Sequence, residues 1–94
     1  MDFKVVDNAG EHRFEIRVDG TLAGAAYYRL HPEEGTRTRI VFTHTEVEQE
    51  YEGKGIGSKL AAGALTLADE GGLKIVAQCP FIAAYLRKHP EYVN

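Results

Sequence analysis

The sequence is poor in several residue types, and each shortage excludes a class of structure. Cys79 is the only cysteine, so the chain has no internal disulfide framework. No apolar run approaches the length of a membrane-spanning helix, and the first residues lack the apolar segment of a secretory signal. These absences predict an intracellular, cytoplasmic protein that does not bind membranes.

Excess charge of either sign is also lacking. The formal net charge is -3 at pH 7, which gives no overall attraction to nucleic acid. The chain has 94 residues, 44% of them apolar, and contains no low-complexity segment. We therefore expect one globular domain over residues 1–94, with small basic clusters such as Arg87 and Lys88 lying on solvated surface.

The first half of the chain alternates apolar and polar residues with the period of a β-strand. Segments 3–6, 13–18, 21–30 and 37–44 are predicted strands, and the turns between them predict antiparallel pairing. Alternation assigns one face of the third strand to Leu22, Gly24, Ala26, Tyr28 and Leu30. By the same rule Ile40, Phe42 and His44 share one face of the fourth strand.

The second half changes to helical spacing. A helix beginning near Gly55 and ending before Gly71 is predicted to turn five side chains toward the sheet: Ile56, Leu60, Ala64, Leu67 and Ala68. Segment 73–78 then reads as a strand parallel to the fourth, and 80–88 as a short helix with Cys79 as its N-cap. The order ββββαβα predicts an α+β fold.

A glycine-rich loop stands where the fourth strand leads into the first helix. Gly53, Gly55 and Gly57 alternate with Lys54 and Ile56, and Ser58 and Lys59 follow. Backbone amides in such a loop, together with a helix N-terminus, suit a phosphate or pyrophosphate group. The spacing matches neither a Walker A loop nor a dinucleotide fingerprint, which needs glycine where Ser58 stands. The alternative is a tight turn without a ligand.

The loop resembles the acyl-coenzyme A loop of the GNAT N-acetyltransferase superfamily, which reads Arg or Gln, two residues, Gly, one residue, then Gly or Ala. Here Glu52 takes the first position and Gly55 and Gly57 the glycine positions. Val47 falls where these enzymes carry a small apolar residue at the end of the central strand. Segments 44–47, 79–81 and 89–92 add a likeness to the small YjdJ-type branch of the superfamily.

The resemblance implies a trimmed GNAT core that takes acetyl-CoA as substrate and uses no metal. In that superfamily the parallel fourth and fifth strands separate and the pantetheine arm enters between them, so 44–47 and 77–80 would form the two walls. The residues implied to hold the coenzyme are Val47, Gly53, Lys54, Gly55, Ile56, Gly57, Ser58 and Lys59.

Four residues are candidates for the chemistry, and each also has a structural interpretation. Cys79 at a helix N-terminus would form an acyl-cysteine because the dipole stabilises a thiolate, or it packs in the core. Glu46 and His44 would act as the base, or they are solvated and hydrogen-bonded at a strand end. Tyr85 resembles the acid of the family's Tyr-x-x-Lys segment, or it is a core aromatic.

These features predict an acetyl-CoA-dependent N-acetyltransferase that transfers an acetyl group to an amine. The acceptor is a small molecule or, because the cleft should be shallow, a protein. The alternatives are a coenzyme-binding or interaction module without turnover and a purely structural domain. An exposed edge at the first strand leaves the choice between a monomer and a weak homodimer open.

Overall fold

The computed structural model describes residues 2–92, and its regular elements follow the predicted α+β order. Two short 3-10 turns lie between elements, and a third follows the last helix. The strands and helices are β1 (Phe3–Asn8), β2 (Arg13–Val18), β3 (Thr21–His31), β4 (Arg39–Val47), α1 (Ile56–Glu70), β5 (Lys74–Ala77) and α2 (Pro80–Lys88).

The five strands form one sheet in the order in which they occur along the chain. Strands β1 to β4 pair antiparallel, and β5 pairs parallel to β4, as predicted. Helices α1 and α2 both pack on one side, which we call the helix face. The other side is the open face, and it carries Glu15, Ala25, Tyr27, His44 and Glu46.

The core lies between the sheet and α1. Ile56, Leu60, Ala64 and Ala68 are buried there against the helix face, each large apolar side chain contributing about 1.5–3 kcal/mol. Leu67 was expected among them but is 37% exposed, because it lies on the flank of the helical stripe. In the described part of the chain, no helix combines the length and apolarity needed to cross a bilayer.

Two β-bulges overturn parts of the predicted alternation. The pairing register shifts at Ala23 in β3 and at Thr43 in β4, where one strand has an extra residue. Beyond each extra residue, the side chains lie on the opposite face from the one that simple alternation predicts. Leu22 therefore lies on the open face, opposite to Gly24. His44 likewise lies on the open face instead of sharing the helix face with Phe42.

The strand limits also differ from the prediction. Pairing with β3 continues past the bulge at Thr43, so β4 ends at Val47 and not at His44. Strand β5 is shorter than expected and covers only Lys74–Ala77. Leu30 is 47% exposed because β3 runs beyond Tyr27, the last residue that pairs with β2.

Gly63 permits the close approach of α1 to β1. A Cβ at this position would lie 2.5 Å from Cγ2 and 2.6 Å from Cβ of Val5. We expect Gly63→Ala to lower the free energy of unfolding by about 1–3 kcal/mol through overpacking. This loss opposes the gain of about 1 kcal/mol that alanine normally brings to a helix interior.

Urea unfolding of a double-mutant cycle checks this prediction. In a Val5→Gly background the side-chain atoms that the new methyl group would meet are absent, so Gly63→Ala should there be neutral or stabilising. An equal loss of stability in both backgrounds would show that contact with Val5 is not the cause.

Candidate active site

Strands β4 and β5 separate at the carbonyl of Phe42. The last paired residues are Phe42 and Ala77, and the amides of Gln78 and Cys79 both donate to the Phe42 oxygen, at 2.9 and 3.0 Å. Strand β4 continues to Val47, whereas the chain after β5 turns into α2. Residues 43–47 thus have no strand partner on this side. We call the opening the β4–β5 gap.

The glycine loop presents backbone next to this gap. Gly53 and Gly55 have φ values of 78° and 76°, which glycine adopts without the strain of a side chain. Gly55 is the N-cap of α1 and makes no side-chain capping bond, so the first amides of the helix are free for a ligand. Ile56 is only 1% exposed and packs in the core, so the accessible part of this helix start is Gly57 and Ser58.

A groove of about 360 Å³ runs between the start of α1 and the side of α2. It is lined by Ser58, Phe81, Ala84, Tyr85, Lys88 and His89. We call it the α1–α2 groove. Gly57 allows the ring of Phe81 to approach α1 closely, because a Cβ at this position would lie only 3.0 Å from Cζ of Phe81. Because Ser58 in the first turn of α1 is one of the lining residues, the groove reaches the start of this helix.

Tyr85 stands in this groove with its ring stacked on His89, the centroids 4.0 Å apart and the planes 17° from parallel. Burial raises the pKa of Tyr85 above its usual value, and the nearness of Tyr92 and Glu91 adds to the shift. The phenol therefore keeps its proton at neutral pH, as a general acid requires.

Cys79 occupies the predicted N-cap position of α2. Its side chain is on the helix face, 4% exposed, and Sγ lies 3.3 Å from Oγ1 of Thr45 across the mouth of the gap. Val47, on the same face of β4, packs against the core. The structure thus brings Cys79 together with the wall of the gap, although its thiol is largely shielded from solvent.

His44 and Glu46 lie on the open face. Nε2 of His44 and Oε1 of Glu46 are 3.1 Å apart, and their side chains are 61% and 59% exposed. The imidazole stacks on the ring of Tyr27, with 6.0 Å between centroids. Sequence reasoning missed Tyr27, because only the pairing register shows that it lies beside His44.

Buried Glu15 helps to hold Tyr27 under His44, through hydrogen bonds that involve Arg13. It is 2% exposed and accepts hydrogen bonds from Asn8, at 2.9 Å, from Arg13, at 2.7 Å, and from Arg17, at 3.2 Å. These donors lower the pKa of Glu15, the bond from Asn8 having the largest effect. Arg13 also donates to the hydroxyl of Tyr27 at 3.0 Å, which ties the buried carboxylate to the platform under His44.

The two loop lysines and Glu52 take different positions. Lys54 and Glu52 are exposed in the loop. The ammonium of Lys59 lies 4.7 Å from the centroid of the Phe3 ring on β1, a cation–π contact. Lys88, interpreted from sequence as solvated surface, lines the α1–α2 groove, as does Phe81. Their helical spacing around Tyr85 could have indicated this shared surface.

The chain is similar to known acetyltransferases. A family profile described as GCN5-related N-acetyl-transferase matches residues 13–94. Protein NATD1 of Mus musculus is 31% identical over 87 residues, which are 93% of this chain and 76% of that protein.

Solved structures agree with the family profile. A GCN5-like protein of Staphylococcus aureus has 30% identity and a TM-score of 0.65 over 95% of this chain and 82% of its own. Arabidopsis thaliana Naa50, in complex with the bisubstrate analogue CoA-Ac-MVNAL, has 27% identity and a TM-score of 0.54 over 64% of this chain and 40% of its own.

A ribosomal-protein-alanine N-acetyltransferase of Brucella melitensis shares the fold, with a TM-score of 0.63 and 24% identity. The match covers 87% of this chain but only 60% of that protein. The present chain is thus considerably shorter than this neighbour.

The network around Glu15 generates a pH prediction. Because its pKa is lowered in the folded state, the carboxylate stabilises the fold above the pKa of the unfolded chain, and this stabilisation is lost as pH falls through the folded-state pKa. Glu15→Gln leaves Arg13 and Arg17 without a charged acceptor. We expect it to cost about 1–3 kcal/mol of unfolding free energy near neutral pH.

Chemical denaturation at about pH 7 and about pH 3, on either side of ordinary carboxyl titration, measures the effect. The difference between wild type and Glu15→Gln should shrink at the lower pH. Glu11→Gln is the control, since Glu11 is exposed. A difference that is the same at both pH values would contradict the role given to the Glu15 charge.

Proposed function

Because the chain belongs to the GCN5-related N-acetyltransferase family, we propose that it transfers an acetyl group from acetyl-CoA to an amine. The observation that supports this most is the β4–β5 gap. It opens beside the free amides of α1, with Tyr85 in the adjoining groove and Glu46 on the strand that forms one wall. A donor and an acceptor could thus meet from opposite faces of the sheet.

The residues around the gap fit the parts of coenzyme A. The amides that follow Gly55 suit the pyrophosphate, because a helix N-terminus attracts anions. The unpaired edge of β4 suits the amides of the pantetheine arm, which need backbone partners. Lys54 is exposed in the loop, and its positive charge favours the pyrophosphate, whereas the negative charge of exposed Glu52 opposes it.

The acid and base roles follow from where the side chains lie. The coenzyme supplies an activated thioester, and the amine nitrogen attacks its carbonyl carbon. Glu46, held by His44 at 3.1 Å, accepts the proton that the amine loses. Tyr85 gives its proton to the departing thiolate, so the products are an amide and coenzyme A. The raised pKa of Tyr85 keeps the phenol protonated before the transfer, although it also makes the phenol a weaker acid.

Cys79 offers a second route. Its thiolate would attack the thioester carbonyl, the bond from carbon to the coenzyme sulfur would break, and the acetyl-cysteine would then pass its acetyl group to the amine. The side chain is 4% exposed and contacts Thr45. We therefore propose direct transfer as the main route and give Cys79 a place in the wall of the site.

The acceptor that we propose is a peptide or protein amine. His44 and Glu46 are exposed on a face that no described helix covers, so a large acceptor has free access to them. The relative Naa50 forms a complex with CoA-Ac-MVNAL, in which coenzyme A is combined with a peptide sequence. Both observations favour a peptide over an enclosed small metabolite.

Binding of coenzyme A to a loop variant tests the first half of the proposal. Alanine at the φ of Gly55, 76°, costs about 1–2 kcal/mol, so Gly55→Ala should relax the free loop. Binding must then restore the loop, and we expect an affinity about tenfold weaker by calorimetry. Gly35→Ala is a matched control, because Gly35 has the same φ in a different loop.

Equal affinities for the Gly35 and Gly55 variants would contradict a pyrophosphate site at this loop.

Release of coenzyme A thiol with a panel of peptide amines tests the second half. We expect Glu46→Gln and Tyr85→Phe each to lower kcat by about a hundredfold, the lower end of what an acid or base contributes. Cys79→Ala should keep most of the activity.

Mass spectrometry after incubation with acetyl-CoA alone separates the two routes. An acetyl group on Cys79, together with an inactive Cys79→Ala, would replace direct transfer by the covalent route. Coenzyme binding without thiol release from any amine would favour a binding module without turnover.

A further inference from the structure

A second concavity of the protein lies beside Tyr27, the residue that stacks on His44. A cleft of about 490 Å³ follows the second half of β3, where the strand extends past β2. Pairing register places Tyr27, Arg29 and His31 on the open face, and His12 and Thr43 also line the cleft. None of the functions assigned above uses this cleft.

The cleft has the electrostatics of an anion site. Four arginines lie on the open face. Arg13 and Arg17 are paired with Glu15, and Arg39 is paired with Glu33. Arg29 has no carboxylate partner among residues 2–92, and no Asp or Glu is among the residues that line the cleft. An exposed guanidinium beside two histidines suits a carboxylate, which it can bind with two parallel hydrogen bonds.

The ring of Tyr27 lies between the cleft and the pair formed by His44 and Glu46, the proposed base. Tyr27 lines the cleft and also stacks on His44, which contacts Glu46. Along β3, Glu46 lies opposite Ala25, and Arg29 is four residues further on the same face. With a strand rise of about 3.3 Å per residue, the two positions are about 13 Å apart.

From this juxtaposition we propose that the cleft selects acceptor peptides with an acidic side chain about four residues from the reacting amine, since an extended chain spans about 3.3 Å per residue. This inference rests on the proposed function, and it adds the charge and spacing of the acceptor. The carboxylate of a free amino acid lies too near its own amine to reach Arg29 while the amine is at Glu46.

The test compares two hexapeptides with free amino termini and amidated carboxyl termini, identical except for Asp or Asn at the fifth residue, which lies four residues from the amino-terminal one. Wild-type protein should show a kcat/KM about fivefold higher for the Asp peptide, the upper range for an exposed charge pair. Arg29→Gln should remove this preference and leave the kcat/KM of the Asn peptide unchanged. Arg37→Gln, an exposed arginine outside the cleft, should keep the preference.

Equilibrium binding of the same peptides to the coenzyme A complex gives a readout that does not need turnover. Tighter binding of the Asp peptide, lost in Arg29→Gln and weakened by salt, supports the cleft even if no acetyl transfer is found. In that case only the proposed activity fails. Equal dissociation constants for the two peptides with wild-type protein would overturn the inference, whether or not the chain acetylates them.

Discussion

The extra residue at Thr43 determines what β4 can do. Before the bulge, Phe42 points into the core. Beyond it, His44 and Glu46 point to the open face, and Thr45 and Val47 point to the helix face. Next to the bulge the carbonyl of Phe42 accepts two amides from the residues that follow β5, and beyond this point β4 pairs only with β3. The bulge thus divides the candidate residues between the two faces, and the double hydrogen bond at Phe42 ends the pairing with β5 beside it.

The buried carboxylate of Glu15 holds neighbouring side chains of the open face in place through hydrogen bonds. Glu15 accepts hydrogen bonds from three side chains, and one of these donors, Arg13, also donates a hydrogen bond to the hydroxyl of Tyr27. Removing one partner of such a buried group leaves the other polar groups unsatisfied, which is costly. Tyr27 is therefore held where it stacks on His44 and also lines the cleft beside Arg29.

The sequence predicted the parts that depend on local pattern. Glycine spacing located the loop, apolar periodicity located both helices, and Pro80 marked the start of α2. It did not predict the bulges, because one extra residue in an alternating strand leaves no local composition signal and shows only in the pairing partner. His44 was therefore assigned to the wrong face. The Arg13–Tyr27 contact was missed for the same reason: it joins residues on neighbouring strands.

The division between the two faces has a consequence for recognition. The helix face offers the amides of α1 and the α1–α2 groove, which suit a ligand held by many contacts. The open face instead offers exposed charges, which give specificity and faster encounter more readily than tight binding. An acceptor recognised there should bind weakly when alone. Discrimination between acceptors would then depend on where their charges fall relative to Arg29 and Glu46, and not on an enclosing pocket.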